Sequence, residues 1–189
     1  MKAIIFDCFG VLTTDGWKQL REEFFSHDDA KMQHATDMDK AVNAGFMEYD
    51  TFIAEISSMS GLPEVIVRQR MNGSAPNSAL FHYIRSVLKP QYKIGMLSNA
   101  ADNWLNDMFE PWQVELFDNV ALSYEVGAAK PDTRMYQTIT ERIGVDYDQS
   151  LFIDDSEYYV TAAIELGMQG IYHTDTNQTI NKINELINA

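Results

Sequence analysis

The chain has 189 residues, of which 46% are hydrophobic and 12% aromatic, so it can fold as one domain with an insertion and is not a disordered or low-complexity protein. Lysine and arginine number 14 against 28 acidic residues, which gives a formal net charge of −14. This balance argues against nucleic acid or an anionic membrane as a partner, because binding to polyphosphate depends on basic patches.

Cysteine content and apolar runs bear on the compartment. The single cysteine, Cys8, permits neither an internal disulfide nor a cysteine zinc cluster, which fits a reducing environment. The apolar run at the start of the chain meets Asp7 too early for a secretory signal. No stretch approaches the ~18 consecutive apolar residues of a membrane span. We therefore expect a soluble, cytoplasmic protein without a signal peptide.

Five short apolar runs are predicted to be β-strands. They are too short for helices and continuous rather than alternating, which is typical of strands buried on both faces of a parallel sheet. In chain order they cover residues 3–6, 94–97, 120–122, 151–153 and 170–172. Because helical patterns separate most of these runs, the sequence predicts a three-layer α/β fold.

Residues that favour helix starts and helix ends mark the boundaries of the helices predicted in the second half of the chain. Gly144 is predicted to end an amphipathic helix over residues 135–143, because glycine readily adopts the left-handed conformation that closes a helix. Ser156 is predicted to cap the next helix, and Thr176 or Asn177 the last one. These helices alternate with the predicted strands, as a parallel sheet requires.

The interval between the first and second strands breaks this rhythm. It is more than eighty residues long, far beyond the length of one crossover helix. Its apolar spacing is helical, for example over residues 46–56. We predict a helical subdomain inserted over residues 15–89, which leaves residues 1–14 and 90–189 as the α/β core.

Polar residues follow or interrupt the predicted strands at their carboxyl ends. In open parallel sheets, ligands bind outside these ends, where the chain leaves the sheet. A carboxylate, a hydroxyl, an ammonium and a pair of carboxylates would therefore converge on one edge. In chain order the candidate residues are Asp7, Ser98, Asn99, Lys130, Asp154 and Asp155.

Each of these residue types also has an ordinary structural use. A lone aspartate after a strand is usually a turn or cap residue, and Ser98 and Asn99 could cap the following helix. Lys130 could be a solvated loop lysine. Asp154 and Asp155 could cap a helix too, but adjacent carboxylates at the end of a buried strand repel each other unless a cation neutralises them. We therefore favour a functional role for this edge.

Four segments in this order resemble the haloacid dehalogenase-like (HAD) hydrolase superfamily. They are IIFDCFGVL at 4–12, IGMLSNA at 94–100, SYEVGAAKPDTRMY at 123–136 and LFIDDS at 151–156. The resemblance covers essentially the whole chain. It implies a Rossmann-like parallel sheet with the strand order 5-4-1-2-3 and a small helical cap formed by the inserted residues.

The resemblance also implies a chemistry. Asp7 would be a nucleophile that forms an aspartyl phosphate. A Mg²⁺ ion would be held by Asp7, the main-chain carbonyl of Phe9 and Asp155, with Asp154 binding directly or through water. The chain would then be a Mg²⁺-dependent hydrolase, phosphatase-like, acting on a small phosphorylated metabolite.

The phosphate group itself would be bound by residues from the second and third motifs. Ser98 and Lys130 would hold the phosphoryl oxygens, and Lys130 would also offset the crowded carboxylates. Asn99 is a further predicted phosphate-binding residue, with backbone amides around it completing the cradle. No residue in the sequence predicts the identity of the substrate or the oligomeric state.

Phe9 departs from the pattern of the superfamily, whose phosphatases usually carry a second aspartate there as general acid and base. Such help is typically worth ~10²–10⁴-fold in rate, so the phosphatase is predicted to be slow. One alternative is a 2-haloacid dehalogenase, which has an aromatic residue at this position but lacks the pair Asp154 and Asp155. Another is a non-catalytic protein that binds a phosphorylated ligand or a partner.

Overall fold

The computed structural model describes residues 1–43, 45–72, 75–100, 103 and 105–188. The chain divides into two units, which are described separately. The sheet unit comprises Met1–Thr14 and Pro76–Ala189, and the helical unit comprises Asp15–Ala75.

Five parallel strands form the sheet among the residues described in the sheet unit. They are β1 (Ala3–Phe6), β2 (Lys93–Ser98), β3 (Asn119–Leu122), β4 (Ser150–Asp154) and β5 (Gln169–Tyr172). Their order in the sheet is β3-β2-β1-β4-β5, which confirms the predicted order and the Rossmann-like class. The predicted strands agree with these bounds to within one residue at each end, because a strand covered on both faces needs apolar residues at every position.

The central strand β1 shows how the sheet separates two apolar layers. Side chains alternate across a strand, so Ile4 and Phe6 pack into one buried cluster and Ile5 packs into the other. All four residues of β1 are fully buried. Burial of such side chains contributes about 1.5–3 kcal/mol each, so the central strand is a rigid base for the residues that follow it.

The helical unit, in the part of it that the structure describes, forms four helices with an apolar core of their own. They are α1 (Gly16–Phe25), α2 (Asp29–Asn43), α3 (Tyr49–Ser60) and α4 (Glu64–Asn72). Of the helical face predicted over residues 46–56, Phe52, Ile53 and Ile56 are buried in α3. Phe46 is the exception, because it lies before α3 and is 88% exposed. The ring of Phe52 meets Trp17 edge to face at 5.1 Å between centroids. That this unit acts as a cap over a substrate stays a prediction.

The described residues of the sheet unit also form seven helices. They are α5 (Ser78–Tyr83), α6 (Leu105–Met108), α7 (Pro111–Val114), α8 (Ser123–Val126), α9 (Thr133–Ile143), α10 (Glu157–Glu165) and α11 (Thr176–Ile187). A wider π-type turn, Ile84–Leu88, continues α5, and a 3₁₀ turn, Tyr147–Gln149, precedes β4. Among the described helices, none combines the length and apolar character needed to cross a bilayer.

Three predicted helix boundaries can be compared with the structure. Gly144 ends α9 with a φ of 77°, as predicted. Ser156 takes the predicted position just before α10, but its side chain makes no capping hydrogen bond. The predicted cap of α11 is wrong by one or two residues. Asp175 fills that position, because its carboxylate accepts a hydrogen bond from the backbone N–H of Gln178.

The helical unit ends at Ala75 and not at residue 89, the predicted end of the insertion. Leu80, Phe81 and Ile84 are fully buried in the same cluster as β1. Residues 76–89 therefore belong to the sheet unit. The sequence was ambiguous here, because an apolar helix face looks the same whichever body it packs against.

The chain leaves and re-enters the sheet unit at adjacent points. Thr13 and Pro76 form an isolated antiparallel bridge. Next to it, the backbone N–H of Asn77 donates to the carbonyl of Leu12 at 2.8 Å, and its side-chain nitrogen donates to the carbonyl of Val11 at 3.0 Å. These contacts fasten the segment after β1 to the segment that begins α5.

Candidate active site

Strand register brings Asp7 and Asp154 side by side at the carboxyl edge of the sheet. Phe6 of β1 pairs with Ile153 of β4, and Asp7 donates its backbone N–H to the carbonyl of Ile153 at 2.8 Å. Ser98 ends β2 on the other side of β1. The predicted convergence of these strand ends is therefore present in the structure.

Lys130 supplies the positive charge at this edge. Its Nζ lies 2.7 Å from Oδ1 of Asp7 and 2.6 Å from Oδ2 of Asp154, and its side chain is only 1% exposed. The alternative of a solvated loop lysine is therefore wrong. A buried ammonium needs charged or polar partners. Its two partners are Asp7, which directly follows β1, and Asp154, which is the last residue of β4.

Aromatic rings complete the surroundings of Lys130. Its Nζ lies 5.1 Å from the ring centroid of Tyr159 and 5.5 Å from that of Phe152, distances at which a ring face attracts a cation. The hydroxyl of Tyr136 donates to the carbonyl of Tyr159 at 3.0 Å. Tyr159 could not be predicted from the sequence, because a tyrosine in an amphipathic helix carries no signal of this contact.

Asp155 joins Asp7 and Asp154 to form a cluster of carboxylates. Each of the three residues offers an oxygen atom, and these atoms lie within 4.8 Å of one another. The backbone at Gly10 passes so close that a Cβ there would lie 2.5 Å from the Asp155 carboxylate. Gly10 also has a φ of 84°, a conformation that favours glycine. A side chain at position 10 would therefore displace Asp155.

Burial is the main cause of the altered acidity at this site. It raises the pKa of the Asp7 carboxyl well above its usual range; the charge of Asp154 raises it further, and Lys130 lowers it. Burial also raises the pKa of Asp154, against the lowering effect of Lys130. For Lys130, burial lowers the pKa, but the two carboxylates outweigh it and raise the pKa overall.

The charges of the cluster fit a divalent cation. Three ionised carboxylates and one ammonium sum to −2, so Lys130 cannot neutralise the cluster alone. Carboxylate oxygens are the ligands that Mg²⁺ and similar hard cations take. The donor set is therefore suited to such an ion.

Ser98 and Asn99 occupy the exit of β2. Ser98 is fully buried, and its hydroxyl donates to the carbonyl of Asn99 at 3.4 Å. The amide of Asn99 contacts the main chain of Lys130. The helix-cap alternative for this pair is not supported, because Asn103 accepts from the N–H of Leu105 at the start of α6.

Phe9 and Cys8 lie in the tight turn after Asp7. The carbonyl of Cys8 accepts hydrogen bonds from the backbone N–H groups of Leu12 and Thr13, at 2.8 and 2.9 Å. Cys8 is fully buried, and the half-buried ring of Phe9 packs against the same apolar cluster. The side chain at position 9 is thus a packing group, and a metal contact through its carbonyl stays a prediction.

The sequence matches the family of haloacid dehalogenase-like hydrolases over residues 1–167. The chain belongs to this family. The four HAD motifs lie where the structure places the strand ends: after β1, at the exit of β2, in the loop that carries Lys130 after β3, and at the end of β4. The membership in the HAD family that these four motifs predicted is therefore confirmed.

Individual HAD-like relatives cover nearly the whole chain. The sesquiterpene phosphatase astK of Aspergillus oryzae is 28% identical over 193 residues, which cover 98% of this chain and 96% of the relative. A HAD-like hydrolase of Porphyromonas gingivalis has a similar structure, with a TM-score of 0.75, 24% identity and coverage of 100% and 98%. The HAD enzyme bt-2542 of Bacteroides thetaiotaomicron, in complex with magnesium and inorganic phosphate, gives a TM-score of 0.67 and 24% identity, with 95% and 98% covered. The structural similarities establish the fold.

Proposed function

We propose that this chain is a Mg²⁺-dependent phosphatase that hydrolyses a small phosphorylated molecule through an aspartyl phosphate on Asp7. The observation that carries the proposal is the buried ammonium of Lys130, which contacts both Asp7 and Asp154 beside Asp155. The name of the sesquiterpene phosphatase supports the reaction class. The magnesium and phosphate of the Bacteroides thetaiotaomicron complex support the two ligands.

Asp7 is the proposed nucleophile. Lys130 contacts Oδ1 of Asp7, so it can orient the carboxylate while Oδ2 attacks phosphorus. As that bond forms, the bond from phosphorus to the leaving oxygen breaks, and the leaving group departs as an anion that then takes a proton from solvent. Water then attacks the phosphorus of the aspartyl phosphate, and the bond from phosphorus to Oδ2 breaks. The proton that the water loses passes to solvent, orthophosphate is released, and the carboxylate of Asp7 is restored.

The remaining residues divide into phosphate and metal ligands. Ser98 and Lys130 are proposed to hold the phosphoryl oxygens, since they offer a hydroxyl and a cation at the same edge. Asp7, Asp155 and the carbonyl of Phe9 would hold Mg²⁺, with Asp154 binding directly or through water. A bound Mg²⁺ would supply the charge that screens the repulsion between the attacking carboxylate and the phosphate.

Phe9 bears on the choice of substrate. An apolar ring cannot protonate a leaving group, so turnover should depend on how readily the leaving oxygen departs as an anion. We expect p-nitrophenyl phosphate to be hydrolysed much faster than an alkyl phosphate at equal concentration. A folded Phe9→Asp variant should gain selectively on alkyl phosphates. Equal rates on both substrates in the wild type would mean that another group supplies the proton.

The test of the proposal is a Mg²⁺-dependent screen for phosphate release. The panel includes p-nitrophenyl phosphate, sugar phosphates and an isoprenyl monophosphate, the last because of the astK relative. Asp7→Asn should lose activity by roughly 10⁴-fold or more, the order seen when a nucleophile is removed. Asp148→Asn is the matched control, because this exposed aspartate lies before β4 and outside the cluster. Equal activity of Asp7→Asn and the wild type would contradict the assignment.

Two further measurements separate the alternatives. Beryllium fluoride with Mg²⁺ mimics an aspartyl phosphate and should raise the Tm of the wild type and not of Asp7→Asn. Chloride release from 2-chloropropionate without added metal would instead identify a dehalogenase. Binding of inorganic phosphate with neither reaction would identify a non-catalytic ligand-binding protein.

A further inference from the structure

The side-chain amide of Asn99 forms a two-way contact with the main chain of Lys130. Its Oδ1 accepts the backbone N–H of Lys130 at 2.7 Å, and its Nδ2 donates to the backbone carbonyl of Lys130 at 3.3 Å. The two residues are separated by 31 positions in sequence. The side-chain amide of Asn99 therefore satisfies both the backbone N–H and the backbone carbonyl of Lys130, as a neighbouring strand would.

Lys130 needs such support because of where it lies. It follows α8 and Gly127 in a loop before α9, outside the helices and strands. A lysine side chain carries about 2 kcal/mol of rotamer entropy, yet Nζ of Lys130 lies within 2.7 Å of an oxygen on each of Asp7 and Asp154. A main chain that is free to shift would move the ammonium away from both carboxylates.

Asn99 is itself held on both sides. Ser98 before it pairs with Leu122 at the end of β2. Ala100 after it donates its backbone N–H to Oγ of Ser123 at 2.8 Å, and Oγ of Ser123 donates to the carbonyl of Ala100 at 2.9 Å. Ser123 is buried, so water does not compete for these bonds. The exit of β2 is thus a fixed base from which Asn99 reaches Lys130.

We propose that Asn99 is a positioning residue that holds Lys130 against Asp7 and Asp154, and that it is not a phosphate ligand. Its effect on catalysis passes through the ammonium of Lys130. The kinetic part of this inference rests on the proposed phosphatase function. The placement of the ammonium does not, so the two can fail separately.

A double-mutant cycle tests how Asn99 acts. With p-nitrophenyl phosphate and Mg²⁺, Asn99→Ala should lower kcat/KM by roughly 10- to 100-fold, the cost of misplacing a catalytic group by about 1 Å. In the Lys130→Met background, the same substitution should have almost no further effect. An equal loss in both backgrounds would show that Asn99 contacts the phosphate directly and would overturn the proposal. Asn119→Ala is the matched control, because the Asn119 amide contacts only local backbone at the start of β3 among the hydrogen bonds described.

A second measurement does not require turnover. In ¹⁵N-lysine-labelled protein, a buried and hydrogen-bonded ammonium exchanges slowly with water and gives an NMR signal, assigned to Lys130 by its loss in Lys130→Met. This signal should shift or vanish in Asn99→Ala and persist in Asn119→Ala. An unchanged signal would overturn the proposal, whether or not the protein releases phosphate. A shifted signal in a protein that hydrolyses no phosphate would contradict the proposed function alone.

Folding of the variants is checked by thermal melting. Asn99 is only half-buried, so Asn99→Ala should stay folded at the assay temperature. If it melts below that temperature, Asn99→Ser takes its place in both experiments, because a serine hydroxyl is too short to pair with both main-chain atoms of Lys130. The expected and contradicting results are the same for either variant.

Discussion

Asp7 in the sheet unit is buried and Asp39 in the helical unit is half-buried, and burial raises the pKa of both carboxyls. Their surroundings differ. Asp7 shares Lys130 with a second carboxylate and faces a third. For Asp39, burial raises the pKa to about 6, the charge of Arg21 lowers it, and a hydrogen bond from Asn43 lowers it as well.

The difference between the two regions shows what separates a reactive site from a buried polar contact. At Asp7, negative charges are crowded beyond what one ammonium can neutralise, so the region favours an added cation. Burial is the main cause of the raised pKa of Asp39, and among its charged neighbours Arg21 lowers that pKa more than Asp15 raises it. This carboxyl can therefore take up a proton near pH 6. A raised pKa is found at both Asp7 and Asp39, so it does not by itself identify a reactive site. The two sites differ in how many negative charges are left without a neutralising partner.

The largest expected effect is that of Lys130→Met. In Mg²⁺-free buffer at pH 7, it should lower the free energy of unfolding by about 3–5 kcal/mol, because two buried carboxylates lose their cation. It should also lower kcat/KM by about 10²–10³-fold. Urea unfolding and initial rates measure the two effects. Lys93→Met is the control, since the Lys93 side chain is 58% exposed and its pair with Asp118 is a surface contact. If Lys130→Met and Lys93→Met had the same free energy of unfolding, Lys130 would not be the buried, charge-compensating lysine of this site.

Asp39→Asn should give the next largest effect, with the opposite sign. A carboxyl whose pKa rises from 3.8 to about 6 on folding stabilises the fold below pH 4 and loses that contribution between about pH 4 and 6. The variant should therefore gain stability relative to the wild type across this range, by up to about 3 kcal/mol. Urea unfolding from pH 3.5 to 7.5 measures the gain. Asp29→Asn, on the exposed start of α2, is the control. A difference that stays flat with pH would contradict the assignment.

Mg²⁺ should stabilise the sheet unit in a pH-dependent way. The raised pKa values of Asp7 and Asp154 mean that metal-free stability falls as pH rises through their titration. Protons and metal compete for the same oxygens, so stabilisation by Mg²⁺ should grow with pH. At 100 times the Kd it should reach about 2.7 kcal/mol.

Two variants sharpen the Mg²⁺ measurement. Asp155→Ala should remove most of the stabilisation, because it takes away one of the three clustered carboxylates. Asp39→Asn should leave it unchanged, since its carboxyl belongs to the helical unit and not to that cluster. Mg²⁺ affinity is measured by calorimetry in a double variant that carries Asp154→Ala and Asp155→Ala. If this variant binds Mg²⁺ as tightly as the wild type, the cluster is not the metal site.

The smallest expected effect is that of Asn43→Ala. Nδ2 of Asn43 donates to Oδ1 of Asp39 at 3.0 Å, and its loss should raise the pKa of Asp39 further and lower stability at pH 7 by about 1 kcal/mol. Gln33→Ala is a closely matched control, because Gln33 donates to Asp37 on the same helix across the same four-residue spacing in an exposed pair. Identical pH profiles for the two variants would place Asp39 in water.

Much of the fold could be predicted because its signals are local. An apolar run between helical patterns is enough to indicate a buried parallel strand, and the polar residue that ends it is enough to indicate a binding edge. Asp7 and Asp154 needed only their place after β1 and at the end of β4. The end of the helical insertion could not be predicted, because the apolar face of α5 does not reveal which core it joins.

Other parts of the site depend on contacts between distant parts of the chain. The burial of Lys130 follows from its pairing with Asp154, 24 positions away, and its main chain is held by Asn99 from 31 positions away. Nothing in the residues around Asp39 distinguishes it from the exposed acids of α2, because its burial is set by how α1 and α2 pack. Such tertiary effects leave no periodic trace in the sequence.

The bridge between Thr13 and Pro76 has a consequence for how such a protein can diversify. Thr13 and Pro76 lie next to each other in the sheet unit, and the helical unit is one continuous stretch of chain between them. The two ends of this stretch therefore leave and enter the sheet unit at the same place. Recombination at these points could exchange, shorten or enlarge the inserted helices without altering the order of the strands. The inserted unit could then be exchanged as a module, while the residues at the strand ends are inherited unchanged.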